Sequence, residues 1–411
     1  MVFSDKGPVF IPTSERDGYL WSHLGLLSSR LLEGLLLALS HERSIDIGSV
    51  RSLPYVEPTD SLGLDAKQAC TLKATWDTGN EICTRFGAPW LVQINKSAHQ
   101  REGGEASGVG QILTLLGVDS PPFTVPQPPT LKALLDAVQA IEQAADARLQ
   151  ALQAQIDETV YDLYEISPED RALIERELGE RPPELVWPQM EGKSDREKRR
   201  EHVRRLISYF LLQALKERRD GILPLTPGTG QPTALDAVRR GLETEFGEAA
   251  AFHMESDVKQ VLGCDAETWL DRDFSRWHAQ LYKRRPVIWH LASPRNTFAC
   301  FVYIHRLDRD TLPKVQTQYL WPRRRAAEAE LASAKTVQDA RRIEQAEMVL
   351  DDLAEFERRL LSVVQAQVEC DIPEWAEGPF RSGVYDPLLD DGVKVNITPL
   401  QEAGVLRYKV V

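Results

Sequence analysis

The chain has 411 residues, a formal net charge of −13 and 42% apolar residues. That length suits two or three domains with a sizeable core, and the apolar fraction is that of a soluble globular protein without a membrane excess. The five cysteines are widely spaced, with no CxxC pair, which argues against a zinc framework and fits a reducing cytoplasm. No basic stretch leads into an apolar one at the N-terminus, so no secretory signal is visible and a cytoplasmic location is expected.

The charge is uneven. From Arg276 to Arg325 there are eleven Lys/Arg against two acidic residues, a local balance of +9 that leaves −22 for the remainder. An acidic chain argues mildly against nucleic acid, yet a segregated one can meet a polyanion on one face.

In chain order, "GPVFIP" is strand-like. The stretch from Gly18 to Leu39 holds "LGLLSSRLLEGLLLALS", which carries Arg30 and Glu33 and so predicts a buried helix rather than a membrane span. "RSIDIGSVRSLPYV" alternates apolar and polar residues, the pattern of a strand. Residues 58–129, rich in Gly, Pro, Ser and Thr, read as an irregular connector containing the loop "REGGEASGVGQ" and the Pro-rich link "DSPPFTVPQPPT". A helical region spans 130–220. Thr130 is a plausible N-cap for a long helix whose apolar stripe runs Leu134, Val138, Ile141, Ala145, Leu149, Leu152, Ile156, Val160. Ser167, Pro168 and Asp170 predict the start of a second helix. The charged half of "SDREKRREHVRRLISYFLLQALKER" reads as a solvated helix face.

Residues 221–321 combine helices bearing Trp269 and Trp277 with a β-hairpin, "PVIWHLA" and "FACFVYIH" joined by "SPRN", inside the basic region. An Ala/Glu/Arg-rich helical hairpin or coiled-coil-like arm over 322–368, broken at Thr336, has an incomplete stripe of Leu331, Val337, Ile343, Val349 or Leu350, Leu353, Phe356 and Leu360. The tail, 369–411, is turn-rich with one short strand. The fold class expected is mixed α/β, predominantly helical, with one β-hairpin in a basic region.

Few motifs carry chemistry. "SPPF", Ser120–Phe123, matches the [DNS]PP[YFW] pattern that grips a flipped base, but no FxGxG-like loop for S-adenosylmethionine accompanies it, so it reads as linker. "PGTGQPT" and "GGEASGVG" lack the Lys-Ser/Thr of a P-loop and read as flexible loops. His278, His290, His305 and Cys300 lack metal-ligand spacing and read as packing or phosphate-contacting residues, with His290 and His305 facing each other across the hairpin at most. The basic island is the strongest signal. Arg284, Arg285, Arg295, Arg306 and Arg309 flank aromatic strands, and Arg323–Arg325 begin a helix. They serve either phosphate contacts or internal pairing with the acidic helices.

Four segments, in order, carry a resemblance. "KRRPVIWHLASPRNTFACFVYIHRLDRDTL" resembles a segment in the C-terminal half of the PglX family, the adenine-specific DNA methyltransferases of BREX phage-defence systems. "DETVYDLYEISPEDRALIE" is similar to a helix pair these enzymes share with type IIG restriction-methylation enzymes. "DDGVKVNITPLQEAGVL" is similar to the family's chain end. "PVFIPTSERDGYLWSHLGLLSSRLLEGLLLALSHERSIDIGSVRSLPYV" resembles the close of a target-recognition domain, with its Ser29–Arg30 pair and "IGxVxxLP" strand.

The resemblance implies that residues 1–57 end a DNA target-recognition domain. It implies further that the chain is the DNA-recognition and C-terminal portion of an adenine-N6 methyltransferase. The family's catalytic lobe lies upstream, so the chain alone is expected to be inactive and to hold no cofactor, with S-adenosylmethionine serving the complete enzyme. Expected partners are double-stranded DNA, a methyltransferase catalytic lobe or subunit and other BREX proteins, with no membrane. The candidate DNA-binding residues are Arg30, Arg43 and Arg51 for base edges, and Arg284, Arg285, Arg295 and Arg306 for the backbone. The alternatives are a helical protein–protein adaptor without DNA binding, and a complete enzyme using "SPPF".

Overall fold

The computed structural model describes residues 18–39, 47–99, 108–118, 122–181 and 185–410. It is predominantly helical with one small antiparallel sheet, as the patterning predicts. The chain divides into two compact units, Met1–Val125 with Ala133–Gly192, and Pro126–Lys132 with Lys193–Val411.

In the first unit, helices α1 (Tyr19–Leu27) and α2 (Arg30–Leu39) replace the single helix predicted over Gly18–Leu39, with a 63° bend between them. No single described helix is long and apolar enough to cross a membrane, although this bent pair passes on length and composition alone. Its inner face, Leu26, Leu31 and Leu32, is buried against Leu62, Ala66, Ile156 and Val160. The strand predicted around "IGSV" is instead a short helix, α3 (Ile47–Arg51).

The stretch 58–129 is not an irregular connector. It contains α4 (Asp60–Trp76), α5 (Trp90–His99) and α6 (Gly108–Leu116), the last starting inside the stretch read as a loop. Its small residues are contact sites rather than breakers. A Cβ on Gly63 would lie 2.6 Å from Ser22 Oγ, and one on Gly25 would lie 2.8 Å from Leu62 Cγ, so α1 and α4 approach closely only because both are glycine.

Helix α7 (Leu131–Leu163) buries every residue of the stripe from Leu134 to Val160. Helix α8 (Pro168–Leu178) starts as predicted, with Ser167 Oγ accepting the Asp170 N–H.

In the second unit, α9 (Asp195–Glu217) opens with a capping box of Ser194 and Glu197. Its charged half is not fully solvated, since Glu201, His202 and Arg205 are buried. Then come β1 (Ile222–Pro224), α10 (Ala234–Phe246), α11 (Glu248–Leu262), α12 (Ala266–Arg272) and α13 (Phe274–Leu281). Next is the predicted hairpin, β2 (Ile288–Ala292) and β3 (Ala299–Tyr303), in a sheet of order β1-β3-β2. Trp289, Leu291, Cys300 and Val302 face the second unit's core, while His290 and Phe301 meet edge to face on the other side, where Phe301 also touches Phe274 of α13. Cover on both faces explains why the strands read as unbroken apolar runs.

A continuous helical run follows, α14 (Thr311–Lys314), a π-helical turn (Val315–Leu320) and α15 (Trp321–Thr336), which pairs with α16 (Ala340–Val364). Ala327 and Ala334 make the buried seam of α15, and Val337, counted in the predicted stripe, is exposed at the turn.

The β-branched "VKVNIT" lies in helix α17 (Gly392–Glu402). Tertiary bonds override its strand propensity. Asn396 is buried and exchanges hydrogen bonds with the Leu388 backbone, donating to its carbonyl at 2.6 Å and accepting its N–H at 3.0 Å. The chain beyond α17 pairs with β2, through Ala292 N–H to Val405 O and Arg407 N–H to His290 O, both 2.9 Å.

Candidate nucleic-acid interface

Positive charge gathers at one end of the sheet in the second unit. Ile288 pairs with Tyr303, and the Ile304 N–H donates to Val287 O at 3.0 Å, so the start of β2 and the end of β3 lie together. This ladder brings Lys283, Arg284 and Arg285 beside His305, Arg306 and Arg309, all exposed.

The Arg306 stem passes over Gly221, whose missing Cβ would lie 2.6 Å from Arg306 Cβ, and its guanidinium reaches the Lys216 carbonyl at 3.5 Å. The C-terminus of α9 therefore adds exposed Lys216 and Arg219 to the edge. Sequence reading missed both, because only β pairing and this long-range contact unite the three segments.

Lys283 and Arg284 are held in the left-handed region, φ 51° and 63°, by a helix-ending turn in which the Arg284 N–H donates to Ala279 O at 2.7 Å. Two successive non-glycine residues there are uncommon, and such strain marks functional segments. Among the described residues, Lys283, Arg284, Arg285 and Arg306 make no ion pair. The neighbouring Asp308 is engaged by Lys314 at 3.3 Å and by Thr311. Burial raises its pKa, but those partners outweigh burial and hold it below the usual range. Arg285 also borders a cavity of about 1030 Å³ that carries Asp371, Asp390 and Asp391, so the edge turns acidic on that side.

Arg295 lies elsewhere. It sits in the turn after β2, at the opposite end of the strands and about 14 Å away at 3.4 Å per residue. Arg284, Arg285 and Arg295, grouped by sequence, therefore do not form one cluster. The internal-pairing alternative holds for Arg323, which reaches Glu330, and for Arg324, which reaches Glu328 and Glu357.

In the first unit Arg30 is not available to a base. Its side chain is 5% exposed, its Nε lies 3.2 Å from Glu175, and its guanidinium also bonds the Gly179 carbonyl. The Arg30 backbone N–H donates to Asp157 Oδ1 at 2.8 Å, and Arg181 holds the same carboxylate at 3.0 Å. Burial raises the Asp157 pKa against these partners. Arg30 thus ties the α1–α2 bend to α7 and α8. Arg30→Ala is expected to lower the stability of the first unit by about 2 kcal/mol in urea unfolding, because it removes a buried side chain whose charged hydrogen bonds reach Glu175 and the Gly179 carbonyl. Arg51→Ala, at an exposed helix end, should change it by less than about 0.5 kcal/mol. Arg43 lies outside the described residues, as do Ser120 and Pro121 of "SPPF".

"PGTGQPT" leads into α10, whose Asp236 N–H is already capped by Thr233, and of "GGEASGVG" the described residues, Gly108 to Gly110, lie in the first turn of α6 while 103–107 lie outside the described residues. The histidines do not converge. His278 and His290 are buried in packing, whereas His305 is exposed, and His290 faces Phe301 rather than His305. No cluster of potential metal ligands occurs among the described residues.

No family model matches the chain. Part of it is similar to the adenine-specific methyltransferase PglX of Lacticaseibacillus casei (strain Zhang), 28% identical over 138 residues, 31% of this chain and 10% of that protein. It is also similar to the adenine-specific methyltransferase BrxX of Escherichia coli O9:H4 (strain HS), 30% identical over 121 residues, 25% of this chain and 10% of that protein. The resemblance drawn from the quoted segments is thus found, as a similarity to adenine-specific methyltransferases over about a tenth of their length.

Proposed function

We propose that this chain is the DNA-recognition and C-terminal portion of a BREX-type adenine-N6 DNA methyltransferase, with catalysis supplied by a lobe outside it. The observation that carries the reading is the exposed basic edge of Lys216, Arg219, Lys283, Arg284, Arg285 and Arg306, which makes no internal ion pairs among the described residues. The partial similarity to PglX and BrxX supports the same reading.

In this reading the edge lies on the phosphate backbone of duplex DNA and fixes its position, while base reading and adenine flipping belong to the assembled enzyme. S-adenosylmethionine would supply the methyl group there. In this reading the residues that hold it belong to the catalytic lobe outside this chain. The catalytic lobe and other BREX proteins are the further partners.

The test is equilibrium binding of a fluorescent duplex between about 50 and 200 mM salt. Replacing Lys283, Arg284 and Arg306 together with Ala should weaken binding equally for all sequences. It should also flatten the slope of log K against log salt by roughly 2 to 3, near 0.9 per lost phosphate contact. A slope equal to that of the parent chain would overturn the reading. All three positions are exposed, and a melting curve checks that the variant stays folded.

A further inference from the structure

Along one side of α17 the second unit holds the cavity of about 1030 Å³ that Arg285 borders. We propose that it docks an extended basic segment of a partner protein, with cationic side chains on the carboxylates at both ends of the helix and on the Trp375 indole.

The shape suits an extended occupant. Lys394, Thr398, Gln401 and Glu402 line the cavity at three- and four-residue steps, so they form one stripe of α17. Asp390 and Asp391 precede the first turn and Glu402 ends the last. At 1.5 Å per residue the two acidic ends stand about 15 Å apart. A single ammonium or metal ion does not reach both. Four to five residues of extended chain, at about 3.3 Å each, do.

The charge suits a basic occupant. The cavity sets the carboxylates of Asp371, Asp390, Asp391 and Glu402 against Arg285 and Lys394, so negative charge is in excess. None of the four carboxylates makes an ion pair among the described residues, and Asp391 accepts the Gly378 N–H at 2.9 Å. Burial, then the charge of Glu402 and then that of Asp371, raises the pKa of the Cys370 thiol, so Asp371 and the end of α17 converge.

The indole is an independent reason. Trp375 borders the cavity and is 73% exposed, with no ring or hydrogen-bond partner among the described residues. A guanidinium or ammonium is attracted to an indole face, and its methylene stem suits the neighbouring Pro373 and Val393. Carboxylates alone would accept any cation, whereas carboxylates with an open indole favour an Arg or Lys side chain. The site shares only Arg285 with the basic edge and does not depend on the DNA reading.

Calorimetric titration of the full chain with a capped pentapeptide, arginine at each end and alanine between, tests the proposal. The peptide should saturate one site with Kd below about 1 mM. Affinity should fall as salt rises from about 50 to 300 mM. Trp375→Ala should weaken it fivefold or more, and Asp371→Asn with Glu402→Gln tenfold or more. Lys394→Ala, which removes an opposing charge, should tighten it. All four positions are exposed, so melting temperatures should be retained. No saturation up to about 10 mM, equal binding of a peptide with glutamate in place of arginine, or an unaffected Trp375→Ala variant would each overturn the proposal. Argininamide binding as tightly as the pentapeptide would overturn the extended occupant.

Discussion

Lowering the pH from 7 to 5 is expected to remove about 6 kcal/mol from the stability of the second unit, through three buried histidines. His202, His278 and His290 are buried, and burial first of all holds each pKa down to about 3, with nearby arginines adding to the effect at His202 and His290. The geometry gives an independent reason at His278. Its Nε2 accepts the Ile288 N–H at 3.2 Å, so a proton there would set donor against donor. His290 stacks edge-on against Phe301, with its Nδ1 2.7 Å from Ser275 Oγ.

The sign follows from depressed folded-state values. The unfolded histidine takes its proton near 6.5, whereas the folded one takes it only near 3. The stabilising difference is therefore complete above about 6.5 and is lost as the pH falls toward 3. At pH 5 each histidine costs about 2 kcal/mol, which for three is comparable to the whole stability of an ordinary domain. Carboxylates titrate mainly below this window. Glu201 is opposed by burial, but its bonds to Trp277, Lys193 and Arg204 win and keep its pKa below the usual value, so its contribution is lost only at lower pH. Urea midpoints at pH 5 and 7, followed by tryptophan fluorescence, check the expectation. His278→Gln and His290→Gln should flatten the pH dependence, and an identical midpoint at both pH values would sink the idea.

Much of the helical fold was legible because periodicity is local. The stripe from Leu134 to Val160 and the cap at Ser167 needed no tertiary information. The helices over 60–116 were hidden because Gly63 and Gly108 look like breakers, yet they are close-contact positions, against Ser22 and Gln93. The helix over "VKVNIT" was hidden because the bonds of Asn396 to Leu388 and burial of Ile397 and Leu400 outweigh β-branched propensity. The site was legible as a composition and not as a geometry. Charge counting finds Arg284, Arg285 and Arg306. Only the register Ile288↔Tyr303 and the contact of Arg306 with Lys216 show that Lys216 and Arg219 join them and that Arg295 does not. Nothing local tells a buried, paired Arg30 from an exposed Arg51.

Asp352 shows the same limit and carries the second large effect. Asp352→Ala should destabilise the second unit by about 3 to 5 kcal/mol. Its carboxylate is 4% exposed and projects from α16 into the β2–β3 turn. There it accepts the Ser293 hydroxyl at 2.6 Å, the Arg295 N–H at 2.8 Å and the Thr297 hydroxyl at 2.7 Å. Ser293 Oγ in turn accepts the N–H groups of Thr297 and Phe298 at 2.9 and 3.0 Å. The anion therefore orients a donor network that water reaches poorly, and alanine would leave those donors without their acceptor.

Asp352→Asn preserves shape but places an amide N–H₂ where donors converge, so about half the loss or more should persist. Urea unfolding of both variants at pH 7 measures it, and a loss below about 1 kcal/mol for alanine would refute the clamp. Because the same carboxylate fixes only the turn at Arg295 and Asn296, duplex affinity at the opposite end of the sheet should hold in the asparagine variant while it is still folded, which separates the clamp from the basic edge experimentally.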